Sequence, residues 1–235
     1  MIFFLGLLVL PLTTHAQSFE IKYSASNDHV SAGSAYWTLT QEESAWTMRL
    51  TTAPNRLARV AGVRKFVETA VLASPEPPFK AISFNHTNSK RKSKNFSATV
   101  NKDRNKIVVE RPDQTLVVPI NEGTIIDRLS VTLTVAAELE TNPQFETLSY
   151  KVLDKHGARD MVFNNLGIEK VKFKKRVIEA YIVESRRPGS SRTTRTWFSA
   201  IDDSAANGRL LPIKIEQYKK AKLVLRLTLS KFKAL

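Results

Sequence analysis

Apolar and polar residues alternate with a period of two along most of this chain. Phe19-Glu20-Ile21-Lys22-Tyr23 is the first clear case. Such alternation sends successive side chains to opposite faces of a strand, one buried and one solvated. Tyr36 to Thr40 and Trp46 to Leu50 read as two arms of a hairpin, with Gln41-Glu42-Glu43-Ser44 as its turn. Phe66 to Leu72 is a further strand. Ser74-Pro75-Glu76-Pro77-Pro78 ends it, because proline cannot donate to a ladder. Phe79 to His86, Asn95 to Val100, Ile107 to Glu110 and Leu116 to Ile120 continue a meander, with turn chemistry at Asn101 to Asn105. A second run of strands follows: Leu148 to Asp154, Asp160 to Asn164, Glu169 to Phe173, Ile178 to Ser185, Thr193 to Phe198, Leu211 to Tyr218 and Lys222 to Leu229.

Between the two runs the period changes. Ile126, Leu129, Leu133, Ala136, Ala137 and Leu139 are spaced for a helix, with Asp127 and Ser130 placed to cap its free N–H groups. Val131, Thr132, Thr134 and Val135 weaken the local propensity, and Pro143 stops the helix. The pattern predicts a mainly β fold: a single curled antiparallel sheet or open barrel of about a dozen strands, with one helix near 127–140 packed on it. No interior linker is visible, so residues 17–235 read as one β-rich domain.

The N-terminus departs from this pattern. Ile2 to Leu12 is an apolar run of signal-peptide length, and Thr14-His15-Ala16 puts small residues at the −3 and −1 positions of a cleavage site. Cleavage between Ala16 and Gln17 is expected, with export to the periplasm, although no Lys or Arg precedes the run. A buried N-terminal element and an uncleaved membrane anchor are the alternatives. No other stretch approaches the apolar length of a membrane-spanning helix, so no transmembrane span is expected in the mature chain.

Composition changes the picture in two ways. The 235 residues include no cysteine, which excludes disulfides, thiolate metal sites and a cysteine nucleophile. The net charge is +14, which favours polyanions: nucleic acid, anionic lipid, lipopolysaccharide or acidic polysaccharide. Export removes nucleic acid. The cations fall into three clusters, all candidates for anion binding. Lys90, Arg91, Lys92 and Lys94 stand near the start of a strand. Alternation there would put the three lysines in register with Phe96, so the edge is expected to twist, bulge or project past the sheet. Alternation also places Lys170, Lys172 and Lys174 on one face, opposite Val171 and Phe173. Arg186, Arg187, Arg192 and Arg195 flank a Pro188-Gly189-Ser190-Ser191 turn. If the clusters converge they would suit phosphates; if they are spread they are a solvated face.

Other chemistry is poorly supported. His29, His86 and His156 lack metal-ligand spacing, no G-x-S-x-G elbow supports a serine triad, and Asp202-Asp203 reads as a loop pair. Trp37, Trp46 and Trp197 read as core or rim residues. No cofactor is expected.

Several landmarks recur in a fixed order: Tyr23 in the first strand, Phe66-Val67-Glu68-Thr69, Pro77-Pro78-Phe79, Asp127-Arg128-Leu129-Ser130, Tyr150-Lys151-Val152-Leu153-Asp154, Thr196-Trp197-Phe198-Ser199 and Leu211-Pro212-Ile213-Lys214-Ile215-Glu216. This order resembles the bacterial envelope family called domain of unknown function 3108, over roughly Phe19 to Leu229. The resemblance implies an exported, mostly β domain, similar to the curled sheets of periplasmic lipoprotein carriers, which wrap a helix and hold an apolar ligand. The Glu169 to Arg176 stretch departs from the family pattern by its charge. The expected function is non-enzymatic binding of an amphiphilic or anionic envelope component. The alternatives are an adaptor docking on an acidic protein through its basic clusters, and an envelope hydrolase.

Overall fold

The computed structural model describes residues 18–235 apart from 28–29, 43–44, 121–122, 202–205 and 207. The expected signal segment and its Ala16–Gln17 junction, His29 and Asp202-Asp203 therefore lie outside the described residues. In chain order the first half holds β1 (Phe19–Asn27), β2 (Val30–Glu42), β3 (Ala45–Pro54), α1 (Arg56–Val60), β4 (Phe66–Leu72), β5 (Ala81–Asn88), β6 (Phe96–Asn101), β7 (Lys106–Glu110) and β8 (Thr115–Pro119). The second half holds β9 (Ile125–Asp127), α2 (Ser130–Thr141), β10 (Thr147–Asp154), β11 (Gly157–Phe173), β12 (Arg176–Arg186), β13 (Arg192–Ala200), β14 (Leu210–Lys219) and β15 (Lys222–Ala234).

All fifteen strands form one sheet in the order β8-β7-β6-β5-β4-β3-β2-β1-β15-β14-β13-β12-β11-β10-β9. It consists of two meanders that meet where β1 pairs with β15, so the first and last strands lie side by side in the middle. Every pair is antiparallel except β9 with β10. The sheet curls until its two free margins approach each other. Lys80 bridges Ile126, and Gly157 packs against Val118, where a Cβ would sit 3.2 Å from a valine methyl. These contacts are local and do not form a continuous ladder across the opening. The result is an open barrel.

The concave side carries the apolar face of the alternating strands: Ile21 and Tyr23, Trp37 and Leu39, Ala70 and Leu72, Ile107 and Val109. Helix α2 fills the hollow. Leu133 joins the cluster on the first meander, while Val131, Val135, Ala136 and Leu139 pack on Val152, Phe163, Val183 and Phe198 of the second. Burial of Val131, Leu133, Thr134, Val135, Ala136 and Leu139 explains why a helix with several β-branched residues persists: packing overrides propensity.

The strand pattern is close to that expected, with four differences. There are fifteen strands among the described residues rather than about a dozen. The two expected strands at 160–164 and 169–173 are one strand, β11, whose pairing slips between Asn165 and Ile168. The helix begins at Ser130, because Ile125–Asp127 pairs with β10 as β9. A second helix, α1, was not expected, because its five residues are too short to show a period.

Candidate functional site

The hollow on either side of α2 is not completely filled. The smaller space, about 530 Å³, lies beside the C-terminal half of α2, with Phe19, Leu39, Phe79, Leu211 and Phe232 in its wall. The larger, about 700 Å³, lies beside the N-terminal half, at the end of the barrel that carries α1. That volume is within the ~300–1,000 Å³ common for small-molecule sites. Its walls are largely apolar: Tyr23, Trp37, Leu50 and Phe66 from the first meander, and Val152, Met161, Phe163, Phe198 and Leu227 from the second. Alternation puts these side chains there, since the bulky apolar residues of each strand share one parity.

Two buried donors reach this wall with different outcomes. The Tyr23 hydroxyl donates to the Pro212 carbonyl at 2.9 Å. The Trp37 indole Nε1, in a residue only 5% exposed, has no hydrogen-bond partner among the described residues. An unpaired buried donor carries a desolvation cost of roughly 1–3 kcal/mol.

Charge enters at the α1 end. Glu68 follows the inward parity of β4 and is 2% exposed. It accepts a hydrogen bond from His86 Nδ1 at 2.8 Å and pairs closely with Arg128, whose guanidinium also lies 5.4 Å above the Phe84 ring. Asp154, 5% exposed, accepts from Arg159 at 2.5 Å and Arg187 at 2.6 Å, while its other oxygen holds the His156 N–H at 2.8 Å. Burial lowers the pKa of Arg128 to about 10; Asp154 opposes that shift and Arg187 adds to it. Arg128 therefore stays cationic at neutral pH. Burial, and then the nearby Lys94 charge, hold His86 below its ordinary value. Glu68, Arg128, Arg187 and Arg192 all line the larger cavity, so three cations face one carboxylate there.

The expected basic residues separate by position. Lys90, Arg91, Lys92 and Lys94 occupy a loop rather than a strand. A 3₁₀ turn spans Lys92–Lys94, and the Asn88 side chain accepts from the N–H groups of Lys90 and Arg91. This loop leaves β5 at the α1 end, where Arg91 donates to the Gly62 carbonyl at 3.3 Å. Gly62 adjoins Val63, which lines the cavity. The β12–β13 turn reaches the same end, with Arg187 and Arg192 in the wall and Arg186 exposed. Arg195 has the opposite parity to the wall residues Thr194 and Thr196. It pairs with Glu184 at 2.7 Å, away from the cavity. Lys170 and Lys172 are exposed near the far end of β11. Lys174 is not on their face at all; it sits in the turn after β11 with φ of 54°. The β11–β12 and β12–β13 turns are at opposite ends of β12, so the Lys170–Lys174 cluster does not join the other two.

Sequence reading missed Trp37, Glu68 and Arg128 as cavity groups, and His86 and Asp154 as the partners behind Glu68 and Arg187. They come from four separate strands and the link into α2, and share no spacing. The one available signal was a charged Glu68 in the inward register of Phe66 to Leu72. At the helix start, Asp127 Oδ1 accepts from the N–H groups of Leu129 at 2.7 Å and Ser130 at 3.1 Å, and the Ser130 hydroxyl closes on its second oxygen. Asp127 is fully buried and its pKa is raised by that burial.

In sequence, residues 18–224 match the family described as "Protein of unknown function (DUF3108)". The chain belongs to this family. No curated protein matches it in sequence. The fold of this DUF3108 member is similar to the crystal structure of a beta-barrel-like protein of domain of unknown function DUF1849 from Brucella abortus. The two are 11% identical with a TM-score of 0.54, over 93% of this chain and 98% of that one. That likeness concerns the fold alone.

Proposed function

We propose that this protein is a non-enzymatic, exported binding protein of the cell envelope that holds an acidic amphiphile in its larger cavity. The observation that carries this reading is one space with two chemistries. Apolar side chains from both meanders line its depth, and Arg128, Arg187 and Arg192 face into it with Glu68 as their only acidic counterpart among the lining residues. An acyl or other apolar tail would replace water along the wall, where each buried CH₂ contributes about 0.8 kcal/mol. A carboxylate or phosphate head would accept from the arginines. The periplasmic location rests on the apolar Ile2 to Leu12 run and the Thr14-His15-Ala16 junction.

The test is displacement of the fluorescent anion 1-anilinonaphthalene-8-sulfonate from the purified protein. Palmitate and lysophosphatidylglycerol supply carboxylate and phosphate heads; 1-palmitoylglycerol supplies the same tail without charge. The acids should displace the probe at least about tenfold more effectively, the equivalent of one charge-assisted hydrogen bond. Arg187→Gln with Arg192→Gln should erase most of that preference. Equal displacement by charged and neutral chains would refute the reading.

A further inference from the structure

The α1 end of the barrel carries a second feature, on the surface beside the larger cavity. Leu57 is 66% exposed, Val60 82% and Val63 46%. Leu57 and Val60 are three residues apart on α1, so they share a face. Isolated surface leucines and valines are ordinary, but these three fall within seven residues, and the Val63 N–H returns to the Ala58 carbonyl at 2.9 Å, so we refer to residues 55–65 as the tip. Arg56, Arg59, Arg64 and Lys65 surround them, and no acidic residue lies between Asn55 and Lys65. The tip is held in place. Ala58 is buried beneath it, the Asn55 side chain accepts from Ala58 N–H at 2.8 Å and donates to the Ser31 carbonyl at 2.7 Å, and Arg64 donates to the Arg59 carbonyl at 2.6 Å. The Lys90–Lys94 loop adds cations alongside, through the Arg91 contact with Gly62.

We propose that this tip docks the protein on an anionic lipid bilayer, with Leu57, Val60 and Val63 entering the interface and the flanking arginines meeting lipid phosphates. The order of the two chemistries favours a bilayer over an acidic protein. Highly exposed apolar side chains alternate with cations, and with no acid, over residues 55–65, which suits an interface where acyl chains lie beneath a layer of phosphates. Each cation close to such a surface is worth about fivefold in partitioning. Val63 belongs both to the tip and to the wall of the larger cavity, so docking would set that cavity's mouth against the membrane. An acidic amphiphile could then pass between bilayer and barrel without crossing water. This last step rests on the ligand reading; the docking itself does not.

The chain has no cysteine, so a single introduced thiol reports one position. Val60→Cys in the full chain, labelled with an environment-sensitive fluorophore, is mixed with vesicles of phosphatidylglycerol and phosphatidylcholine. Lys175→Cys, in the turn at the other end of the barrel, is the control. The Val60→Cys probe should shift to the blue and lose access to iodide. The control should do neither, and pure phosphatidylcholine should leave both unchanged. Adding Arg59→Glu and Arg64→Glu should weaken the effect by about 25-fold or more, the product of two lost cations. A probe at position 60 that stays open to iodide on anionic vesicles would overturn the proposal, and docking on an acidic protein instead would give that result. Insertion that ignores the charge reversals would overturn it equally. Neither failure touches the displacement experiment, which contains no bilayer.

Discussion

Replacing Glu68 by glutamine should weaken the fold and strengthen anion binding at the same time. Glutamine keeps the shape and one acceptor oxygen but removes the charge that Arg128 and His86 share. A charge-assisted hydrogen bond is roughly twice as strong as a neutral one, so each contact should lose about 1 kcal/mol. Removing a partner from a fully buried ion pair costs about 3–5 kcal/mol, but the Arg128 side chain is 41% exposed, so solvent screening reduces that figure. The net expectation is a loss of about 1–2 kcal/mol. For a domain of this size each kcal/mol moves Tm by about 2–4 °C, so thermal unfolding followed by circular dichroism should show a fall of roughly 2–8 °C. Arg128, released from its carboxylate, then becomes available to a ligand anion. Palmitate should displace the anilinonaphthalene probe about tenfold more effectively from the variant than from the parent, while 1-palmitoylglycerol should not change. The reasoning fails if Tm is unaltered, or if palmitate binds more weakly to a variant that is still folded.

Other outcomes follow from the same contacts. His86 has a folded pKa below its ordinary value, so its neutral form is the one the fold favours; its contribution is complete above about pH 6.5 and is lost as pH falls through the depressed value. The acid side of a Tm-against-pH curve should therefore be flatter in His86→Gln than in the parent, with Glu68, Arg128 and Lys94 unchanged; parallel curves would refute this. Asp127→Ala removes the acceptor of two buried N–H groups and should cost about 2–4 kcal/mol by urea unfolding, whereas Asp127→Asn keeps the acceptor and should cost much less. Lys170→Glu with Lys172→Glu should leave palmitate displacement within about twofold, because both lie at the end of the barrel away from the arginine-lined cavity, where screening by salt removes their influence. A large loss in that variant would mean that the acid binds elsewhere.

The strands were legible because a period of two is a local property. Each of Phe19 to Tyr23, Phe66 to Leu72 and Lys222 to Leu229 carries its own register, and only one register buries its apolar set. The bulk of α2 showed for the same reason. Its first turn did not, since Ile125–Asp127 is held as a strand by β10, a partner more than twenty residues later. The join between Asn164 and Glu169 was hidden because a bulge changes the parity on which a strand is recognised. Helix α1 is shorter than two turns and leaves no period to detect.

Cavity chemistry was not legible, and the reason is distance along the chain. The sequence alone determined a basic, cysteine-free, mostly β chain with one buried helix, and it put a charged Glu68 on an inward face. Only the tertiary structure decided that Arg128, Arg187 and Arg192 would meet that carboxylate at one end of the barrel. It also decided that Lys170 and Lys172 would be sent to the other. Side-chain parity is set by neighbours two residues away. Which strand ends share a rim is set by the pairing of β1 with β15 and by the curl of the whole sheet, and no stretch of sequence shorter than the domain contains that information.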